Sequence, residues 1–326
     1  MNTTINPKKL INSNYYKEFS NLNPIKLVDI GSREGLPEEL NQISDSIMVI
    51  GFEPDKKECE VLNNNTNKNH IYYPFPLYNK SANIDFIMTK KLACSSILKP
   101  NKKYLDRFPN SHLYGIDNVI KMQCNTLDNI LKEHKHHDID LIKLDTQGSE
   151  LPILQGAIDC LQNSIFCVEV EVEFSPQYEN QHFFSDVDQY LRKLGFSLFD
   201  IKLVRLKRKN SKKIFSKGSL TWGNAVYFKD FLEIKNIPES YQNEIKAIKS
   251  LSIAELYGFP DFALELLDFY NSKSIISDNN YITLKKILLK NKRSEIVQLT
   301  FELANVLKKY IKKKLTPSKW HVNTYP

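Results

Sequence analysis

The strongest constraint on this chain is the stretch IKLVDIGSREGLPEEL at residues 25–40, followed by a second apolar run that also ends in acids, SIMVIGFEPD at 46–55. Ile25, Leu27, Val28 and Ile30 make a run too brief for a helix and suited to a strand buried on both faces. Gly31 and Gly35 then permit a tight turn and a close backbone approach. Leu36-Pro37-Glu38-Glu39-Leu40 reads as a helix start, with proline and acids where free N–H groups and the helix dipole favour them. Alone, this is an ordinary strand-to-helix turn. The second run changes the reading, because Glu53 stands 22 residues after Gly31, close to the spacing at which a doubly wound fold sets an acid on ribose hydroxyls. The turn is G-x-x-x-G rather than G-x-G-x-x-G, which disfavours a dinucleotide dehydrogenase. Asp29, ahead of the first glycine, either orders the turn or holds a cationic amino group.

Apolar runs and helical stretches alternate along the chain, predicting an α/β fold with a mostly parallel sheet covered by helices on both faces. Strands are expected at 70–78, 119–124, 138–145, 163–174 and 196–204, with LTWGNAVYFKD (220–230) as a returning partner strand. Helices are expected at 55–64, 126–134, 149–161 and 184–195. Residues 80–117 read as irregular, broken by Pro100, Pro109 and Gly115, and a segment of that length in a compact domain suggests a lid or binding loop. Beyond Phe231 the chain reads as amphipathic helices only. The expected division is an N-terminal segment 1–24, a catalytic domain 25–231 and a helical extension 232–326.

In LIKLDTQGSELPILQGA, Asp145 ends a strand and Glu150 opens the next helix, at the carboxyl-end crevice where open α/β sheets bind ligands. A ligand role and a helix cap stand equally open for this pair. In CVEVEVEF, Glu169, Glu171 and Glu173 share one strand face. Three carboxylates on an interior strand are costly unless they are paired or open into a cleft, so either Glu171 and Glu173 reach the crevice mouth or the strand lies at an edge. A divalent metal held by Asp145, Glu171 and His182 is a minority reading, and none is assigned. His134, His136 and His137 sit before a strand, away from the crevice, and read as a solvated turn. Ser95-Ser96 reads as a hydrogen-bonding loop.

In order, DIGSREG, GFEPD, CSSILKPN, TLDNIL, IKLDTQGSELPILQGA, VEVEFSPQYENQHFFSDVDQYLRKLGFSLFDI and WGNAVYF resemble the FkbM-type family of S-adenosylmethionine-dependent methyltransferases, over roughly residues 25 to 230. The resemblance implies a class I methyltransferase fold, S-adenosylmethionine over the carboxyl ends of the strands, and methyl transfer to a hydroxyl of a sugar, glycan or small metabolite. It also implies that Asp29, Gly31 and Gly35 form the methionine-side turn, that Glu53 holds the ribose, that Asn79 contacts adenine, and that Asp145 and Glu150 match an Asp-x-x-Gly-x-Glu element. Catalytic roles are expected for Asp145, Glu171 and His182. The family often carries Ala-Asn where this chain has Ser32-Arg33, a bulkier and more charged turn.

The net charge of +7 is local: residues 201–217 hold eight Lys or Arg, residues 305–320 hold six Lys, and the remainder is net acidic. These runs leave peripheral contact with an anionic surface open, along with a homodimer. Aromatic residues are not interleaved as in a single-strand platform, so no nucleic acid is expected. An NAD-type oxidoreductase and a non-catalytic module for anionic glycan or nucleic acid are the alternatives. Five scattered cysteines without a CxxC pair point to neither disulfides nor zinc. With no signal-length or membrane-length apolar run, a cytoplasmic protein is expected.

Overall fold

The computed structural model describes residues 8–289, apart from 34, 37, 66, 212–214 and 235–236. Seven strands form one sheet: β1 (Ile25–Ile30), β2 (Ile47–Phe52), β3 (His70–Tyr73), β6 (Leu141–Leu144), β7 (Cys167–Glu173), β8 (Phe196–Leu206) and β9 (Ser219–Lys229). Their order is β3-β2-β1-β6-β7-β9-β8, with β4 (Ala82–Thr89) and β5 (Ile116–Cys124) paired apart as a second, two-stranded sheet. The first five strands of the large sheet run parallel, and β9 inserts antiparallel between β7 and β8. The order reverses between β1 and β6, which opens the ligand crevice over their carboxyl ends.

The apolar runs bury both sheet faces. On one, Val28, Ile50, Ile142, Val168 and Val170 pack with Leu127, Leu151, Leu154 and Leu191, from the helices Leu127–Glu133, Glu150–Gln155 and Phe184–Lys193. The single helix expected over 149–161 is two, Glu150–Gln155 and Ile158–Asn163. A Cβ on Gly156, between them, would stand 2.3 Å from the Tyr78 carbonyl oxygen, so the close approach of that strand exit requires glycine at the break.

The opposite face joins the expected domain to its helical extension. Leu27, Val49, Leu141, Phe166 and Phe228 of the sheet share one core with Ala247, Leu251, Phe262, Leu266, Leu284 and Leu288. These come from helices Glu244–Leu256, Pro260–Ser272 and Asp278–Leu289. Helix Glu244–Leu256 is buried from Lys246 to Leu256 rather than on one stripe. Its two lysines meet a buried acid at the foot of β6: Lys246 Nζ lies 2.5 Å and Lys249 Nζ 3.0 Å from the Asp140 carboxylate. Burial lowers the Lys246 pKa, with Asp140 opposing it. Glu255 accepts the backbone N–H groups of Lys9, Leu10 and Ile11, tying in the N-terminal segment. No boundary near residue 232 separates two cores. The expected helix at 294–315 and the basic run 305–320 lie outside the described residues.

Residues 80–117 are ordered as well. Asn83 and Asp85 point outward while Phe86 is buried, the period of a strand, and β4 pairs antiparallel with β5 along Ala82–Thr89. The loop between them returns to the main body. Asn101 N donates to Gln177 O at 2.7 Å and Glu179 N to Lys99 O at 2.8 Å. The hairpin therefore carries a pinned cover over the crevice.

Candidate active site

The first glycine answers to backbone. Gly31 has φ +80°, and a Cβ there would stand 2.0 Å from the Asp145 carbonyl oxygen. Gly31 N also donates to Phe52 O at 2.9 Å, and Asp145 N to Ile30 O at 3.0 Å. The ends of β1, β2 and β6 thus converge on one point. Gly35, with φ +78°, closes the turn by donating to Ser32 O. Asp29 points away from the crevice, to the face of the helical C-terminal region, where its carboxylate is fully buried 2.9 Å from Lys143 Nζ. Burial opposes the Lys143 charge, and the Asp29 and Asp145 carboxylates more than offset it, so its pKa is raised. The link of Asp29 to the turn runs through its backbone, whose carbonyl accepts from Ser32 Oγ at 2.7 Å.

A cleft lies over this convergence. Phe52, Phe75, Pro76, Leu77 and Ile153 make one end apolar, and Gly31, Thr146 and Ser149 line it with polar atoms. Glu53 lines it too, 3 % exposed. Its Oε1 accepts Asp55 N at 2.9 Å and lies 3.4 Å from Arg33 Nη2, which itself holds Asp55 at 2.7 Å. Burial raises the Glu53 pKa to about 6, against the pull of the Asp55 N–H and Arg33. The charged Ser32-Arg33 of the turn is thereby explained: Ser32 Oγ ties Asp29 O to Phe52 N, and Arg33 fixes Glu53.

A second cavity adjoins the first and shares Ala93, Asp145 and Gln147 with it. Its floor includes Glu171 and Gln177, and its walls Tyr114, Trp222 and Asn224. β7 is interior, and its last residues run past the end of β6, paired only with β9, which opens Glu171 to the crevice. The edge-strand alternative is thereby excluded. Glu169 shares that strand face but stands two residues nearer the start of β7, where it accepts from Tyr257 Oη at 2.8 Å.

Two tyrosine–glutamine–glutamate relays stand side by side here. Tyr178 Oη lies 2.9 Å from Gln147 Oε1, and Gln147 Nε2 donates to Glu171 at 2.7 Å and to Asp145 at 2.9 Å. Tyr114 Oη donates to Gln177 Oε1 at 3.3 Å, and Gln177 Nε2 to Glu173 at 2.8 Å. Burial, then the charges of Asp145 and neighbouring glutamates, pushes Glu171 well above the ordinary carboxylate range. Glu173 is raised in the same direction by burial, and its Oε1 is buried without a hydrogen-bond partner among the described residues. Gln147 sits at φ +59°, a conformation rare for a side-chain-bearing residue and typical of functional turns.

Three expected site residues lie elsewhere. Both Glu150 oxygens are taken inside its own turn, by Thr146 N, Thr146 Oγ1 and Gly148 N, and burial raises its pKa to about 7. It closes the turn that presents Gln147 and does not line the cleft. Asn79 is exposed, held against Gly156. His182 is 44 % exposed beside Asp186, outside both cavities. The triad Asp145, Glu171 and His182 is not assembled, and among the described residues no group of three or more His, Cys, Asp or Glu could hold a metal ion. The sequence reading passed over Arg33, Gln147, Gln177 and Tyr178. A glutamine inside Asp-x-x-Gly-x-Glu was legible as a turn residue, but its two carboxylate partners come from separate strands.

The strand order and the crevice over Gly31 are those of a class I methyltransferase fold. A methyltransferase FkbM domain matches residues 29–198, so the chain belongs to the FkbM methyltransferase family. The cofactor of this family is S-adenosylmethionine. The NAD-type oxidoreductase alternative falls with that membership. Solved structures resembling the chain include an FkbM methyltransferase from Methylobacillus flagellatus, at 16 % identity and TM-score 0.37, covering 66 % of this chain and 49 % of that one. The match thus spans about half of that protein's length. Others are a magnesium protoporphyrin IX methyltransferase from Synechocystis with bound cofactor (10 % identity, TM-score 0.33, 66 % and 75 % covered) and a Burkholderia thailandensis 1,6-didemethyltoxoflavin-N1-methyltransferase with S-adenosylhomocysteine (9 %, 0.30, 67 % and 79 %). No curated protein matches the chain. Among the described residues no helix is long and apolar enough to cross a membrane.

Proposed function

We propose that the protein transfers a methyl group from S-adenosylmethionine to a hydroxyl oxygen of a sugar, glycan or small metabolite. The observation that carries this reading is the junction of the two cavities at Asp145 and Gln147, with the buried Glu171 carboxyl beside it. The residues of the first cleft fit the cofactor: an apolar end for adenine, Glu53 Oε2, which has no hydrogen-bond partner among the described residues, for the ribose, and the Gly31 turn for the methionine end. When bound, the cofactor supplies an electrophilic methyl group. The protein's part is to position the acceptor oxygen in line with it and to take one proton.

Glu171 is the group to take that proton. Its raised pKa makes it a stronger base than an ordinary carboxylate once it is ionised. Gln147 holds Glu171 and Asp145 in register, and Tyr178 holds the Gln147 amide so that its NH2 faces both carboxylates.

The test is incubation with labelled S-adenosylmethionine and a panel of hydroxylated acceptors, with S-adenosylhomocysteine affinity measured by calorimetry. Glu171→Gln is expected to slow transfer about a hundredfold or more while leaving that affinity within a few-fold. Undiminished transfer by the variant would move the base to Asp145. Failure to bind S-adenosylhomocysteine at all would remove the reading.

A further inference from the structure

The acceptor cavity is acidic at its floor and basic at its rim. Asp145, Glu171 and Gln177 form the floor, whereas Lys91, Arg205 and Lys207 line the same cavity from the cover and from the end of β8. Among the described residues none of these three cations has an ion pair, and Lys91 and Arg205 are exposed. The two segments that carry them are tied together. Lys209 N donates to Arg107 O at 3.0 Å, and the Arg208 guanidinium lies 4.7 Å from the Phe108 ring centroid and 5.8 Å from that of Tyr104. The basic hairpin is thereby stapled to the cover segment, so both present cations to one opening.

From this arrangement, and resting on the methyl-transfer reading above, we infer that the acceptor carries a phosphoryl group, bound at the rim by Lys91, Arg205 and Lys207 while its hydroxyl reaches Glu171. The cations at the mouth attract an anion, whereas the floor offers Glu171 and the Gln177 amide and no cation, so an acceptor with one anionic end is oriented before any specific contact forms. Cations from two separate elements address a tetrahedral dianion from several sides, whereas a carboxylate is satisfied by one guanidinium fork. The Trp222 ring on the same wall offers an apolar face between the two ends, suited to the body of a hexose. The chemical class is therefore a glycosyl phosphate.

Trp222 also reports on the site, because the chain has two tryptophans and Trp320→Phe leaves it alone as the probe. In that background, titration with glucose 1-phosphate and with inorganic pyrophosphate is expected to give a saturable fluorescence change that weakens with added salt. The Arg205→Gln, Lys207→Gln double variant is expected to weaken both about tenfold or more. S-Adenosylhomocysteine affinity should stay within two-fold, which certifies the fold. In transfer assays the double variant should raise KM for phosphorylated hexoses and leave KM for a neutral methyl glucoside unchanged. Tighter binding of glucuronate than of either phosphate probe overturns the phosphoryl assignment. So does the absence of saturable binding by glucose 1-phosphate and pyrophosphate, or equal binding in the double variant, in protein that still binds S-adenosylhomocysteine. Loss of S-adenosylhomocysteine binding in the wild type instead defeats the methyl-transfer reading, so the two failures are distinct.

Discussion

Glu53 and Glu173 are both buried carboxyls with raised pKa values, and they differ in what the surroundings offer. Glu53 keeps Arg33 and the Asp55 N–H on one oxygen. Glu53→Ala is expected to cost S-adenosylhomocysteine tenfold to a hundredfold in affinity, since a hydrogen bond to a charged group is worth about 1.5–3 kcal/mol. In the wild type calorimetric affinity should fall as the pH drops through about 6, where Glu53 takes up its proton. Glu53→Gln should remove that dependence, and a retained pH profile would assign it to another group. Glu173 has a buried oxygen with no partner among the described residues. Because its folded pKa lies above the unfolded one, protonation favours the folded state: that contribution is complete below the ordinary carboxylate range and is lost as the pH rises through the folded value. Glu173→Gln is therefore expected to raise Tm at alkaline pH and to change it little near pH 4. A uniform shift at both pH values would disprove the linkage.

At the scale of elements, helix Glu244–Leu256 behaves as a core layer. Asp140 is 1 % exposed and holds two buried lysines. Removing one partner of a buried pair leaves uncompensated charge and costs about 3–5 kcal/mol. Asp140→Ala should lower the urea midpoint accordingly, and a change of less than about 1 kcal/mol would show that water reaches the lysines. Ending the chain at residue 232 should strip one sheet face of its cover and abolish the folded circular dichroism spectrum. A truncated protein that still binds S-adenosylhomocysteine would restore the expected boundary. β4 illustrates the opposite case. Its alternation was present in NIDFIMT, but Pro100, Pro109 and Gly115 farther along made the whole segment read as loop. Those breakers lie in the cover between the two hairpin strands, not in β4 itself.

For the whole molecule, one sheet face is covered by helices from the middle of the chain and the other by helices Asn14–Leu22, Glu244–Leu256, Pro260–Ser272 and Asp278–Leu289, and both cores share the strands between them. Unfolding of either face exposes the same sheet, so calorimetry should give one cooperative transition. S-Adenosylhomocysteine at a hundred times its Kd should add about 2.7 kcal/mol to the stability of that single unit. A second transition that the ligand leaves in place would mean that the C-terminal helices unfold by themselves.

The alternation of apolar runs with helical stretches, the glycine turn after β1 and the acid after β2 were readable locally, because each depends on a backbone conformation or a burial period within a few residues. They determined the α/β class, the crevice over Gly31, and Glu53 as its acid. Local character did not decide between the two roles open to Glu150, which closes its own turn, since whether a side chain satisfies the backbone or a ligand depends on which donors arrive from elsewhere. Only the tertiary structure decided that Gly31 makes room for the Asp145 carbonyl, that Gln147 joins Asp145 to Glu171, and that Lys246 and Lys249 find Asp140 more than a hundred residues away in the chain. Those contacts join segments with no shared period, and burial of unpaired charge and amide groups is what makes each of them necessary.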